Sequence, residues 1–418
     1  MITRLKPKSE FNRSILTLIA GTTIAQAISL LIVPILTRLY TPQDYGANAL
    51  FLSVISILTV VATARYEMAI MLPKSNRAAI SIFYLSIFIS IFLFITTLIF
   101  VSIYKKKLNE LLGSEIAILI PFTILVAGIS QSLRMWMNRL KKYKEMAINN
   151  VEQSLYGGIM QLALGLYNLG SIGLIIGQFI GQIFSTLKLG IYQKKTNLTY
   201  INKNIYLRSI ASFRRYLYLI KFGVPASLTS RVAQESLILL VGYFISASAA
   251  GFIVILNRII YLPALIFGSN LGDVFYQSIS EVPKNKSFPI IKEFCFKLII
   301  LSVPMYIILF VAIEYLFVFI FGSYWQGALE YTPYLIVVAI FSFIFSPLSM
   351  LFNYYEFQGL NFFWQLTWAL SNILVFFIFD YLSLSIQQLF LIYTIKQSVI
   401  YLFGIAAFIF YSHKIYEK

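Results

Sequence analysis

The sequence predicts an all-α polytopic membrane protein with about 12 transmembrane helices in two six-helix bundles. The 418 residues are 59% hydrophobic and only 12% charged, whereas about 25% of a typical soluble domain is charged. Long apolar stretches recur along the whole chain, and about 20 apolar residues are enough to cross a bilayer. Lysine and arginine collect mostly between these stretches, as they do in the loops of membrane proteins.

The apolar stretches mark the predicted spans in chain order. The first is longer than the apolar core of a signal peptide and no A-x-A site follows it, so we expect a retained helix. Only Asn168, Leu169 and Gly170 separate the fifth span from the sixth. The twelve predicted spans cover residues 14–36, 47–72, 79–103, 116–138, 150–168, 170–193, 217–245, 251–279, 294–321, 328–352, 361–380 and 386–411.

The distribution of positive charge predicts the orientation. A formal net charge of +17 could indicate nucleic-acid binding, but it follows the predicted loops of one side. Lysine and arginine mark cytoplasmic loops, and placing both termini in the cytoplasm puts most basic residues there. We therefore predict a multi-pass protein in the lipid bilayer, with both termini cytoplasmic and no nucleic-acid partner.

The spans divide six and six around the longest polar stretch. This predicts an N-terminal bundle at 1–195, a cytoplasmic basic linker at 196–214 and a C-terminal bundle at 215–418. Around the linker, Tyr206, Ile210, Phe213 and Leu217 recur at helical spacing. That pattern is typical of an amphipathic helix on the inner leaflet, and a solvated linker is the alternative.

The two halves show a weak internal similarity. A short turn follows the first span at Tyr45-Gly46-Ala47. A similar turn follows the seventh span 205 positions later, at Ala250-Gly251-Phe252. Six-span repeats insert in the same orientation, so they predict a pseudo-twofold axis along the membrane normal and a central cavity between the bundles. This architecture is typical of transporters.

Two charges near the middle of the seventh span are the strongest functional signal. An ionised group at bilayer depth costs at least ~2.5–3.5 kcal/mol, so Arg231 and Glu235 must face protein or a water-filled path. Residues four apart share a helix face, which allows a structural ion pair. The other interpretation is a cationic cavity wall, where the Arg231 guanidinium binds phosphate in a bidentate manner.

Other spans carry further candidates. Arg258 in the eighth span could face the same space as Arg231. Arg65 and Glu67 are only two residues apart and do not share a helix face, so we expect them to contact different neighbours. The candidates for substrate binding are Arg231, Arg258 and Arg65. The candidates for ion coupling are Glu235, Glu67 and Asp273, each of which could instead neutralise a nearby arginine.

Weaker polar signals remain open. Five embedded amides could line a cavity, although hydrogen bonding between helices is the favoured interpretation for most of them: Gln26, Gln131, Gln178, Gln182 and Asn270. Lys188 and Lys396 could extend to an interface rather than stay within the protein. Five prolines inside or at the edge of spans could provide bending points: Pro34, Pro225, Pro263, Pro304 and Pro347.

Enzyme signatures are missing from the sequence. With Cys295 as the only cysteine and His413 as the only histidine, we expect no disulfide framework, no thiolate metal cluster and no histidine-based triad. The predicted outside loops are too short for a catalytic domain. We therefore predict a protein that is not an enzyme, with no cofactor, no metal and no catalytic residue.

Five short motifs stand out along the chain: Thr37–Gly46, Ala64–Ile70, Asn138–Lys144, Asn257–Pro263 and Asp273–Tyr276. Taken together in this order, they resemble the motifs of bacterial O-antigen flippases of the Wzx type. The resemblance implies membership of the multidrug/oligosaccharidyl-lipid/polysaccharide exporter superfamily, whose two bundles form a V-shaped cavity. It places Arg65 and Arg258 within family motifs, while Arg231 rests on the burial argument alone.

The resemblance also implies a function. The family moves an undecaprenyl-diphosphate-linked oligosaccharide from the cytoplasmic to the periplasmic leaflet of the bacterial inner membrane, driven by an ion gradient. The coupling ion, H⁺ or Na⁺, stays open. A polysaccharide polymerase and a chain-length regulator are candidate partners, and a monomer is expected because the two bundles enclose their own site.

Two other functions compete. A multidrug exporter of the same superfamily would favour an acidic or aromatic cavity, and the embedded arginines speak against it. A membrane polysaccharide polymerase or glycosyltransferase would need a sizeable outside loop or a catalytic carboxylate motif, and the sequence shows neither. The related peptidoglycan-precursor flippases typically carry two helices more than the twelve predicted here, which argues against that function.

Overall fold

The computed structural model describes residues 10–112, 115–195, 205–265 and 269–417, and these residues are almost entirely helical. Packing divides the chain into two compact units, Met1–Arg231 and Val232–Lys418. The first unit contains α1 (Glu10–Leu39), α2 (Pro42–Thr59), α3 (Tyr66–Ala69), α4 (Asn76–Leu112), α5 (Leu119–Arg139), α6 (Tyr143–Leu166), α7 (Gly170–Lys195) and α8 (Ile205–Arg215).

Helix α9 (Val224–Phe244) runs from the end of the first unit into the second. The helices that follow it are α10 (Ala247–Ile260), α11 (Ser269–Ser280), α12 (Phe288–Phe321), α13 (Thr332–Leu348), α14 (Leu351–Tyr354), α15 (Gln358–Tyr381) and α16 (Ile386–Tyr416). Within the described ranges the chain forms no strand, so the prediction of an all-α fold is confirmed.

Eight helical segments among the described residues are long and apolar enough to cross a membrane. The remaining four predicted spans fall on α2, α6, α9 and α10, which are shorter or more polar. Helices α6 and α7 are separate, because the chain reverses at Asn168 and Gly170, both with φ of 55°. The multi-pass membrane architecture therefore agrees with the sequence prediction.

Two predicted spans are broken rather than continuous. The second consists of α2 and the short α3, separated by a turn in which Ala64 and Arg65 adopt positive φ angles of 49° and 65°. The eighth covers α10 and α11, and α10 ends at Ile260, where Tyr261 forms a turn. Pro263 follows this turn in a helical stretch at 262–265, where a proline removes one helix hydrogen bond.

The start of α2 explains one of the sequence motifs. Thr41 caps the helix: its hydroxyl accepts from the Asp44 backbone at 3.2 Å, and Asp44 Oδ2 accepts from the Thr41 backbone at 2.9 Å. Pro42 occupies the first turn, where a missing N–H costs nothing. This capping box gives the Thr37–Gly46 motif a structural role.

Helices α6 and α7 pack through glycine. A Cβ atom built on Gly181 would lie 2.7 Å from Gly157 Cα, and one on Gly177 would lie 2.6 Å from the Gln161 backbone nitrogen. Real side chains do not approach that closely, so the two backbones are in direct contact. Small residues permit this approach between membrane helices.

The predicted linker helix forms as α8, although residues 196–204 of the linker lie outside the described residues. Its Phe213 ring stacks on Tyr66 with centroids 5.7 Å apart, and the Tyr66 hydroxyl donates to the Phe213 carbonyl at 2.8 Å. Ser209 donates to the Ser81 carbonyl at 3.0 Å. The apolar face of α8 therefore packs on α3 and α4, a contact that the sequence did not predict.

Candidate functional site

The break after α2 brings Arg65 and Glu67 together. Arg65 Nη1 lies 3.8 Å from Glu67 Oε1, with 30% of the Arg65 side chain and 7% of the Glu67 side chain exposed. The hydroxyl of Thr63 donates to the other Glu67 oxygen. The prediction that Arg65 and Glu67 contact different neighbours is wrong, because it assumed a continuous helix and Arg65 is not helical.

Arg65 combines a charged side chain with a strained, left-handed backbone. A left-handed conformation costs a non-glycine residue about 1–2 kcal/mol, and it persists where surrounding contacts enforce it. The ion pair and the Thr63 hydrogen bond supply such contacts. Arg139 supports the segment after α3 by donating to the carbonyls of Ile70 and Pro73, at 2.9 and 2.8 Å.

The other four predicted site residues lie on three different helices. Arg231 is exposed and Glu235 half-buried on α9, and both make interactions within the protein. Arg258 lies on α10 and is exposed. Asp273 lies on α11 and is exposed as well. Arg65 and Glu67 form an ion pair, and Arg258 also makes an interaction within the protein.

The first unit contains a polar cavity that the sequence analysis did not predict as a site. This N-terminal cavity has a volume of about 350 Å³ and lies between α2, α5, α6 and α7. Nine of its fifteen lining residues are polar, and Arg134 is the one charged residue in that described lining. The polar lining consists of Ser56, Thr59, Thr123, Ser130, Gln131, Arg134, Gln153, Gln178 and Gln182.

Arg134 is held by neutral side chains. Its guanidinium donates to Asn150 Oδ1 and, at 2.7 Å, to Gln153 Oε1, both on α6. Gln153 Oε1 also accepts from the Ser185 hydroxyl at 3.3 Å, and Ser185 donates to Asn149 at 2.7 Å. No described carboxylate forms an ion pair with Arg134. The cavity therefore keeps a positive charge that the network orients but does not neutralise.

A similar arrangement occurs in the second unit, at Lys396. Its ammonium donates to Asn372 Oδ1 on α15 and to Gln397 Oε1 at 2.9 Å, and it lies 4.8 Å from the centre of the Tyr393 ring. Asn372 in turn donates to the Ser236 hydroxyl on α9 at 2.7 Å. In the described part of this unit no carboxylate pairs with Lys396.

Lys396 does not extend to an interface. It lies ten residues into α16, about 15 Å from the start of the helix at 1.5 Å per residue, and its partners Asn372 and Gln397 are buried. Lys188 also stays within the protein, because it pairs with Glu152 across α6 and α7. Of the two embedded lysines, Lys396 is therefore the one with only neutral hydrogen-bond partners.

The sequence contains a signal for the N-terminal cavity. On α5, Thr123, Ala127, Gln131 and Arg134 follow helical spacing along one face, and on α7 the pair Gln178 and Gln182 does the same. Of the five amides for which hydrogen bonding between helices is the favoured interpretation, Gln131, Gln178 and Gln182 line this cavity. Arg134 lies close to the predicted end of its span, which concealed it among the cytoplasmic basic residues.

The structure offers no metal site in the residues that it describes. No group of three or more histidine, cysteine, aspartate or glutamate side chains could hold a metal ion there. The chemistry available at both polar sites is hydrogen bonding and charge recognition. Both sites therefore offer a cation and neutral hydrogen-bonding groups, which suit a polar anion.

Comparison with known proteins gives a consistent family. Residues 35–330 match the model of the polysaccharide biosynthesis protein family. A curated relative, the succinoglycan biosynthesis transport protein ExoT of Rhizobium meliloti (strain 1021), is 22% identical over 356 residues, which cover 81% of this chain and 67% of ExoT.

Solved structures show the same fold. A structure of the lipid II flippase MurJ in an inward closed conformation superposes with a TM-score of 0.75 at 14% identity, covering 96% of this chain and 90% of MurJ. An inward-facing multidrug resistance transporter of the MATE family, from the MOP superfamily, gives a TM-score of 0.63 at 13% identity, covering 96% and 99%. At these identities the similarity establishes the fold alone.

Proposed function

The chain belongs to the polysaccharide biosynthesis protein family, and on this basis we propose that it is a flippase for lipid-linked oligosaccharides. It moves an undecaprenyl-diphosphate-linked oligosaccharide, an O-antigen repeat unit, from the cytoplasmic to the periplasmic leaflet of a bacterial inner membrane. Both termini then lie in the cytoplasm. The family match over residues 35–330 and the transport function named for ExoT support a role in membrane transport.

The main support for the proposal is that two cations within membrane helices have neutral side chains as their described hydrogen-bond partners. Arg134 on α5 and Lys396 on α16 donate to amide oxygens, not to carboxylates. Burying an ion without a counter-charge is costly, so a protein that retains two of them gains from their charge. A diphosphate-linked headgroup carries negative charge that hydrocarbon alone would exclude, and such cations lower that barrier.

We propose that the sequence-predicted residues contact the substrate or the coupling ion. Arg231, Arg258 and Arg65 contact the anionic headgroup along its path, with the Arg65 charge already shared with Glu67. Glu235, Glu67 and Asp273 bind or release the coupling ion, H⁺ or Na⁺, during alternating access. A drug exporter of the MATE type is the alternative, but net positive polar sites would repel cationic drugs.

A deletion strain tests the proposal. Surface polysaccharide is separated on a gel, and lipid-linked repeat units are extracted from the same cells in parallel. We expect complete loss of surface repeats, with intact lipid-linked units retained in the cytoplasmic leaflet. Single repeats that still reach the surface would indicate a polymerase, and an unchanged ladder with altered drug sensitivity would indicate an exporter.

A further inference from the structure

The N-terminal cavity has a lining that is suited to one particular part of a lipid-linked oligosaccharide. We propose that it binds a single acidic sugar residue, one bearing a carboxylate, of the transported oligosaccharide. This inference rests on the proposed flippase function and names a substrate class for it. The cavity volume of about 350 Å³ is at the lower end of the range for small-ligand sites, about 300–1,000 Å³, and so fits one sugar better than several.

The charge of the cavity matches one carboxylate. Arg134 is the one charged group of its described lining, and a guanidinium pairs with a carboxylate through two parallel hydrogen bonds. Arginine has five N–H groups. The described partners, Asn150 and Gln153, take two of them, so three N–H groups stay available for a ligand while the side chain is already held in position.

The neutral lining matches hydroxyl groups. Each glutamine amide offers two donors and an acceptor, and each serine or threonine hydroxyl can donate or accept. Sugar hydroxyls also do both, so they can satisfy these side chains in either direction. Gln131, Gln178 and Gln182 reach the cavity from α5 and α7, while Ser56 and Thr59 reach it from α2. Phe51 and Phe179 add apolar surface for the faces of a sugar ring.

The diphosphate fits the cavity less well. It carries more than one negative charge, and proteins recognise such groups with several cations or with clustered backbone N–H groups. A single arginine surrounded by amides and hydroxyls provides too little positive charge for it. The cavity therefore favours the sugar part of the headgroup over its phosphate part.

Binding of free sugars to the purified protein tests this inference. Saturation-transfer NMR on the full chain in lipid nanodiscs compares glucuronate, glucose and inorganic pyrophosphate as probes. We expect glucuronate to bind, and to bind at least about tenfold more tightly than glucose, because its carboxylate pairs with Arg134. Arg134→Gln should remove that preference and leave glucuronate and glucose bound equally. Lys297→Gln is the matched control, because it removes an exposed charge of α12 and should leave the preference intact.

Several outcomes would overturn the inference. These are tighter binding of pyrophosphate than of glucuronate, equal binding of glucose and glucuronate by the wild-type protein, and no saturation transfer from glucuronate. A preference that survives in Arg134→Gln protein with a wild-type melting temperature would overturn it as well. Failure of the flippase proposal is distinguishable, because it appears as an unchanged polysaccharide ladder in the deletion strain and not as a change in sugar binding.

Discussion

Single side chains decide how much positive charge the membrane helices retain. Arg65 shares its charge with Glu67 at 3.8 Å, and Lys188 pairs with Glu152. Arg134 and Lys396 have neutral hydrogen-bond partners. We therefore expect Arg134 and Lys396, which were not sequence-predicted candidates, to contribute most to binding an anion. Arg231 and Arg258 are the further cations of the proposed path.

Replacing Lys396 separates stability from transport. Lys396→Met removes a half-buried charge but leaves Asn372 Oδ1 and Gln397 Oε1 without that donor. The two effects are each of order 1–3 kcal/mol with opposite sign. We expect a melting temperature within a few degrees of wild type, together with loss of transport. Thermal unfolding of the purified protein and complementation of the deletion strain measure the two effects. Wild-type complementation would show that the ammonium serves packing alone.

Arg231 offers a second test at this scale. Arg231→Ala should abolish transport while the protein still inserts and folds, because the exposed side chain is proposed to contact the headgroup rather than to fill a core. Complementation reports transport, and membrane fractionation with size-exclusion chromatography reports insertion and folding. Lys297→Ala, on an exposed part of α12, is the control and should complement fully. Full complementation by Arg231→Ala would remove this residue from the substrate path.

Helices determine which of these side chains can meet. The positive φ angles of Ala64 and Arg65 end the helical geometry of the second span, and only that break lets residues two apart form an ion pair. No glycine, asparagine or proline marks this turn in the sequence, and Val60–Arg65 continues the predicted second span without a turn signal. In the eighth span, Pro263 lies two residues after Tyr261, the turn at which α10 ends. Eight of the twelve predicted spans coincide with helices that are long and apolar enough to cross a membrane, whereas the break at Arg65 could not be predicted.

The close approach of α6 and α7 predicts different tolerance at two glycines of one helix. A Cβ at Gly181 would lie 2.7 Å from the Gly157 backbone, while one at Gly190 meets nothing within 4 Å. We expect Gly181→Leu to force the helices apart and destabilise the protein by about 1–3 kcal/mol or more. Gly190→Leu should stay close to wild type. Melting temperatures from fluorescence-detected size-exclusion chromatography compare the two, and equal temperatures would mean that α6 and α7 do not pack through glycine.

At the scale of the whole molecule, the sequence predicts an all-α membrane protein but does not predict the N-terminal cavity. Composition and apolar length predict an all-α membrane protein, and the motif resemblance agrees with the polysaccharide biosynthesis family. The N-terminal cavity depends on four helices, α2, α5, α6 and α7, presenting polar side chains to one space, and no local pattern reports which faces meet. Arg134 illustrates this limit, because its partners Asn150 and Gln153 come from the next helix along.

The most direct test of lipid-linked oligosaccharide transport uses purified protein in vesicles. Lipid-linked repeat units extracted from the deletion strain are reconstituted with the protein, and an impermeant probe such as periodate reports how many headgroups face outward. With an imposed ion gradient, we predict that headgroups cross from one leaflet to the other only in vesicles that contain the protein. Equal accessibility with and without the protein, under both H⁺ and Na⁺ gradients, would contradict the account.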